Sequence, residues 1–319
     1  MKILVTGAAG FIGSLVIEKL YKSNFRFIAT DRDLQPSNLS HLLDSIHYEM
    51  LDLSDSDQIR QFINIHCPSH ILHLAGIMGG VAEQNPPIAL QVNLMGTAVL
   101  VDAGLQCGLE RFVMATTIGI YDPTTPEPIR EDSTKHPVNI YGISKLSSEY
   151  LLEWYSRTQN LSVGAVRLPW VFGPGRTRGL TADMSTKLLD SIARGEKVHV
   201  LNSQERGDWM YGFDAARAML EMLDPGDKQK QFAYYFSGAG VYTVKEVMKR
   251  AAEICPSAAV TFDEPLSPEA TYAATFDDSH TIRDFDWKPE YDLNKAIVHH
   301  ISTVQNTNYT AEKATSGQL

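Results

Sequence analysis

An α/β chain with a doubly wound parallel sheet and a smaller, less regular C-terminal α/β lobe is what the sequence predicts, on three observations. Short apolar runs alternate with helix-length segments up to Arg167. Gly7, Gly10 and Gly13, at three-residue intervals, follow the first of those runs directly. Past Arg167 the rhythm changes, as Gly173-Pro174-Gly175, Pro225-Gly226, Pro265 and Pro268 divide the chain into shorter elements.

The first strand is expected over Lys2 to Val5, and Phe11, Leu15, Ile17 and Leu20 then recur with helical period. A second strand runs from Phe25 to Thr30 and closes on Asp31. Further strands are expected at His47 to Leu51, His70 to Leu74, Arg111 to Ala115 and Ser162 to Arg167, with long helices over Asn85 to Gly108 and Asn139 to Thr158. Right-handed crossovers between such strands give a Rossmann-like sheet. The expected division is a first domain over residues 1–167, a substrate-binding lobe over 168–305 from which the chain can cross back, and a frayed, disordered tail over 306–319.

At 319 residues, 44% hydrophobic and 21% charged, the chain can bury a large core. A formal charge of -10 argues against a nucleic-acid partner, because such proteins set Lys and Arg against phosphates. Met1-Lys2-Ile3-Leu4-Val5 runs straight into the glycine turn without a signal-peptide pattern, and no apolar stretch reaches bilayer-spanning length. A cytoplasmic protein with no membrane partner is expected. Cys67, Cys107 and Cys255 lack CxxC spacing and read as small buried hydrophobes. Adjacent His299 and His300 cannot share one helix face, and no metal is expected.

The glycine spacing carries a ligand. Gly7 permits the tight turn, Gly10 lets backbone approach a pyrophosphate, and Gly13 lets the helix pack close to the strand. The helix N-terminus offers free N–H groups and a positive dipole end to the phosphates, so NAD or NADP is expected. Arg32 could face the 2′-phosphate of NADP, which Asp31 would repel; NAD is favoured. Tyr141 and Lys145, at i and i+4, share one helix face. A cation about 5 Å away at an effective dielectric near 20 favours the phenolate by roughly 3 kcal/mol, enough to make Tyr141 a usable base.

With these motifs in hand, the chain resembles the extended short-chain dehydrogenase/reductase superfamily, and within it the NAD-dependent epimerase/dehydratase family. The resemblance rests on Thr6 to Gly13, Asp31, Asp52-Leu53, His73-Leu74-Ala75-Gly76, Asn93 with Gly96-Thr97, Thr116-Thr117 with Tyr121, Tyr141 with Lys145, and Arg167 leading to Phe172-Gly173-Pro174-Gly175. It implies that Tyr141 is the general acid/base, that Lys145 binds the nicotinamide ribose, and that Thr117 bonds the reacting oxygen. It further implies that Phe11, Ile12, Ala115 and Pro169 border the cofactor, that Asp52 and Leu53 flank adenine, and that Leu74, Ala75 and Gly76 line the site. Asn93 is placed with the cofactor residues, as a structural member of its helix. Related proteins pair two long helices into a dimer, so a homodimer is expected.

The chain also departs from that family. Ile118 and Gly119 stand where 4,6-dehydratases carry Asp-Glu, so that dehydration route is not expected. Trp170 replaces the Asn that sugar-nucleotide members set before their Val-Tyr-Gly-Pro run, and Arg206-Gly207-Asp208 carries one inserted residue. Met78, Gly79, Gly80, Thr117, Ile118, Tyr141, Trp170 and Arg206 are the expected substrate contacts, with Arg206 meeting an anionic group. The expected reaction is Tyr-mediated oxidation of a carbinol on a sugar or sugar-nucleotide, of the epimerase type. The alternative is net oxidation of a free sugar, uronate or sugar acid. An NAD-sensing regulator has no need of the acid/base phenol.

Overall fold

The computed structural model describes residues 1–23, 25–263 and 273–316, apart from the side chains of 180 and 308–316. Pro265 and Pro268 lie outside the described residues. The strands are β1 (Ile3–Thr6), β2 (Phe27–Asp31), β3 (Tyr48–Met50), β4 (His70–His73), β5 (Arg111–Thr117), β6 (Ser162–Leu168), β7 (Trp170–Phe172), β8 (Lys197–Val200), β9 (Arg206–Tyr211), β10 (Ala233–Tyr235), β11 (Val241–Thr243) and β12 (Ala259–Phe262). The six expected runs are β1 to β6. They form a parallel sheet in the order β10-β6-β5-β4-β1-β2-β3, so the strand order reverses between β1 and β4. Ligands of open α/β sheets bind at the carboxyl ends of strands flanking such a reversal.

The seventh strand, β10, has no counterpart among the expected runs. It holds three residues inside the aromatic stretch Phe232 to Phe236 and pairs with β6 through Ala233 and Ala165. The chain therefore returns to the first sheet after entering the second lobe. There β7, β9 and β11 form one small sheet and β8 pairs with β12. A core of Trp170, Phe172, Trp209 and Tyr211 fills the lobe.

Helices α1 (Phe11–Lys22), α2 (Ser56–His66), α3 (Gly96–Gln106) and α4 (Ile140–Gln159) lie in the first half of the chain. In the second half lie α5 (Thr186–Ala193), α6 (Gly212–Leu223), α7 (Val244–Ile254) and α8 (Leu293–Ser316). One face of the main sheet buries Val5, Val16, Ile17, Val113, Val166 and Met219 beneath α1 and α6. On the other face Leu4, Ile59, Ile71, Leu100, Phe112 and Leu152 pack beneath α2, α3 and α4.

Four expectations are corrected. The helix expected from Asn85 to Gly108 is interrupted, since Gln91–Met95 forms a π-helical turn between Pro86–Leu90 and α3. At this turn the Asn93 carbonyl accepts the Thr97 and Ser148 hydroxyls at 2.6 and 3.0 Å. By length and composition, Pro86–Gln106 is also long and apolar enough to cross a membrane, although half of that window is buried inside the protein, where it serves the core. The tail expected to fray from Asn306 is helical to Ser316, because each further residue adds a hydrogen bond to a helix already nucleated by packing against α5 and α7. Cys67 is exposed, not buried, and caps α2 in a left-handed conformation beside Cys107.

A buried ionic network closes the sheet. The Arg167 guanidinium meets Glu149 at 2.8 Å, with both side chains almost fully buried. It also donates to Tyr121 Oη at 3.2 Å and Glu131 at 3.3 Å, while Thr116 donates to Glu149 at 2.7 Å. Removing one partner strands a buried charge, so Glu149→Ala is expected to destabilise the fold by about 3–5 kcal/mol in urea denaturation. The pair Arg167→Met with Glu149→Leu is expected to lose less than Glu149→Ala alone.

Candidate active site

The glycine turn is shaped by contacts that leave no room for a side chain. Gly7 has φ +71°, and a Cβ there would lie 2.5 Å from the Ala75 nitrogen; one at Gly13 would lie 2.0 Å from the Gly7 oxygen. Gly10 caps α1 without a side-chain acceptor, and the first turn holds no acidic residue, so its N–H groups are open to a phosphate. Phe11 and Ile12 send their side chains into the core and could serve a ligand only through backbone. At the end of β2, Asp31 accepts from the Ala9 and Arg32 amides at 3.1 and 2.8 Å. Burial raises its pKa against those bonds, so further donors such as ribose hydroxyls would favour its charged form. Arg32 is exposed beside it. Asp52 accepts from the Ser54 amide and hydroxyl, both at 2.8 Å, and Leu53 is buried against Gly96. This donor set, with its cradle of glycines, fits a dinucleotide.

A second group of residues converges at the carboxyl ends of β4 and β5. Asn139 caps α4 by accepting the Gly142 amide at 2.8 Å. Gly142 allows that helix to approach the turn after β5, since a Cβ there would lie 2.2 Å from the Gly119 oxygen. Thr117 accepts the Gly119 amide at 3.0 Å, which leaves its own hydroxyl proton to donate. One helical turn beyond half-buried Tyr141, Lys145 is buried and donates to the Ala115 carbonyl at 3.0 Å. Burial lowers its pKa to about 8, against the opposing pull of Glu149. A Cβ at Gly76 would lie 3.3 Å from Lys145 Nζ, so the loop after β4 rests directly on the ammonium. Leu74 and Ala75 lead into that loop half-buried, and buried Pro169 joins β6 to β7. Tyr121, by contrast, is driven by burial up to about 12 and stays a neutral phenol.

Asn93 is placed differently from its expected cofactor contact. It is fully buried, and its amide bonds the Ile77 nitrogen at 2.8 Å, the Ile77 oxygen at 3.0 Å and the Ser144 hydroxyl at 2.9 Å. It thereby pins the β4 loop to α4. His73, Thr97, Ser144 and Ser148 complete this internal network; His73 and Thr97 stand in the sequence motifs without an assigned role, and Ser144 and Ser148 are new to it. Their signal was faint: Ser144 and Ser148 are polar residues on the same buried face as Lys145.

The expected substrate contacts divide. Met78 is exposed, Gly79 and Gly80 face open space, and a short helix, Gly79–Gln84, begins where a loop is expected. Ile118 is buried in the cluster that also holds Trp170. Trp170 packs against Gly207 and Trp209, and its buried indole N–H has no hydrogen-bond partner among the described residues. Arg206 meets Glu127 at 2.7 Å on the surface, a partner that no reading of the sequence expected. A cavity of about 420 Å³ lined by Tyr121, Arg167, Tyr235, Phe276 and His280 shares no residue with the expected site.

The profile of the NAD dependent epimerase/dehydratase family matches residues 3–235. The chain belongs to that family. It is thus an NAD-dependent enzyme of epimerase or dehydrogenase type. The mitochondrial L-threonine 3-dehydrogenase of Sus scrofa is 26% identical over 306 residues, covering 93% of this chain and 80% of that protein. The UDP-glucose 4-epimerase of Thermotoga maritima has the same fold, with TM-score 0.86 and 24% identity over 96% of this chain and 99% of that one. The L-threonine dehydrogenase of Cupriavidus necator is similar at TM-score 0.84 and 25% identity, covering 94% and 99%.

Tyr141→Phe removes only the hydroxyl. It is expected to lower kcat by at least about 10²-fold while NAD affinity, measured by fluorescence titration, stays within a few-fold. Turnover near the unmodified rate would remove Tyr141 from the chemistry.

Proposed function

We propose that this chain is a net NAD-dependent dehydrogenase of a small hydroxylated substrate, and that the nucleotide-sugar epimerase reading ranks second. The observation that carries this choice is the substrate end of the site. Trp170 is buried where an amide would touch a diphosphate, and Arg206 is occupied by Glu127. An epimerase must retain its ketone while the ketone turns over, and a bound diphosphate is what tethers it. Without those grips the ketone leaves and the hydride is not returned. The threonine 3-dehydrogenases among the relatives make a β-hydroxy-α-amino acid the first substrate class to try.

NAD, when bound, supplies the hydride acceptor. Thr117 donates its hydroxyl proton to the substrate oxygen and orients it, and Tyr141 takes the carbinol proton. Lys145 favours the phenolate by its charge and offers its ammonium to the nicotinamide ribose. The panel that tests this contains NAD with L-threonine, other 3-hydroxy acids, free sugars, uronates and UDP-glucose. NADH absorbance should rise with L-threonine or a 3-hydroxy acid and stay flat with UDP-glucose. An epimerised sugar nucleotide without net NADH would restore the epimerase reading.

We also propose a homodimer through α4. Ile143, Tyr150 and Trp154 stand 41%, 57% and 45% exposed at positions that share one stripe of the helix. Light scattering at micromolar concentration should give about twice 35.4 kDa, and Trp154→Glu should halve the mass. A monomeric unmodified protein would end that proposal.

A further inference from the structure

Outside the active site, one cluster of side chains has the composition and placement of a metal centre. His47 and Glu49 stand two residues apart, at and just before β3, so their side chains leave the same side of that edge strand. His66, the last residue of α2, reaches the same point from the helix above. The Nε2 atoms of both histidines bond the Glu49 carboxylate, that of His66 at 3.2 Å. The three ligand atoms all lie within 4.8 Å of one another.

We propose that His47, Glu49 and His66 bind one divalent transition metal ion of the zinc class, with water completing the coordination. Two imidazoles and one carboxylate are borderline donors suited to zinc, and bonds near 2.0–2.1 Å in a tetrahedron put neighbouring ligand atoms about 3.4 Å apart. The His66 to Glu49 separation already has that size. His47 is half exposed and free to close the remaining distance, whereas His66 is buried against Phe62, with ring centroids 4.4 Å apart. One ligand is thus rigid and one adjustable. The C-terminal end of α2 adds the negative end of a helix dipole. Lys2, bonded to the His66 carbonyl, is the opposing charge nearby and limits affinity. An ion held here would bolt the edge strand β3 to α2, and β3 pairs with β2 through Met50 opposite Asp31.

The test is calorimetric titration of the intact protein with zinc chloride at pH 7.5 in a non-coordinating buffer, alongside melting curves. One ion per chain should bind, raise Tm, and be lost at pH 5.5 as the imidazoles protonate. His47→Ala, at an exposed position that leaves the core intact, should weaken binding at least about tenfold, and His66→Ala should abolish it. Cys67→Ser and His41→Ala, at other surface donors, should change nothing. Equal zinc binding by the unmodified protein and His47→Ala, loss of binding in Cys67→Ser, or no binding at all would each overturn the assignment.

Discussion

One buried histidine couples the two halves of the candidate active site. His73 ends β4 and bonds Thr6, the last residue of β1, at 2.7 Å through Nδ1, and Thr97 at 3.0 Å through Nε2. Thr97 gives its own proton to the Asn93 carbonyl at 2.6 Å, so its oxygen must accept from His73. The tautomer is therefore Nε2–H, and Nδ1 accepts from Thr6. Burial drives the His73 pKa down to about 3, which keeps this direction of donation at any physiological pH. From Thr97 the chain of bonds passes to Asn93 and on to Ser144, between Tyr141 and Lys145. The glycine turn and the helix bearing Tyr141 and Lys145 are thereby held in one frame.

The π-turn at Gln91–Met95 follows from that frame. Within that turn the Asn93 carbonyl accepts the hydroxyls of Thr97 and Ser148. The Asn93 side-chain amide, on the same turn, bonds Ile77 and Ser144. Local helical regularity is given up so that the loop after β4 is fixed against Lys145. π-turns concentrate at functional sites for this kind of reason.

What was legible in the sequence was what short-range chemistry determines. The glycine spacing, six strands, Asp31 and the Tyr141 to Lys145 spacing depend on residues close in sequence, and their structural placement agrees with the reading. β10 was not legible, because three residues show no period and its pairing with β6 spans a whole lobe. Asn93 was read with the cofactor because spacing cannot tell whether an amide faces a ligand or closes a network. Arg206 and Glu127 are 79 residues apart, and nothing local announces their pairing. His47, Glu49 and His66 likewise escaped a search for metal motifs, since their shared point is made by a strand and a helix.

The same division explains why Lys145 depends on residues outside the motif. Its burial alone penalises the ammonium and brings the pKa to about 8, with the Glu149 charge resisting that fall. Glu149 is held in place by Arg167 and Thr116, which belong to β6 and β5. Below about pH 8 the lysine is charged and its field favours the Tyr141 phenolate; as pH rises through that value the cation is lost, and the support with it. Alkaline conditions thus favour the phenolate through mass action while removing the charge that stabilises it. On the proposed mechanism, the basic limb of the reaction depends on the sheet's ionic network, through Glu149, as well as on the tyrosine.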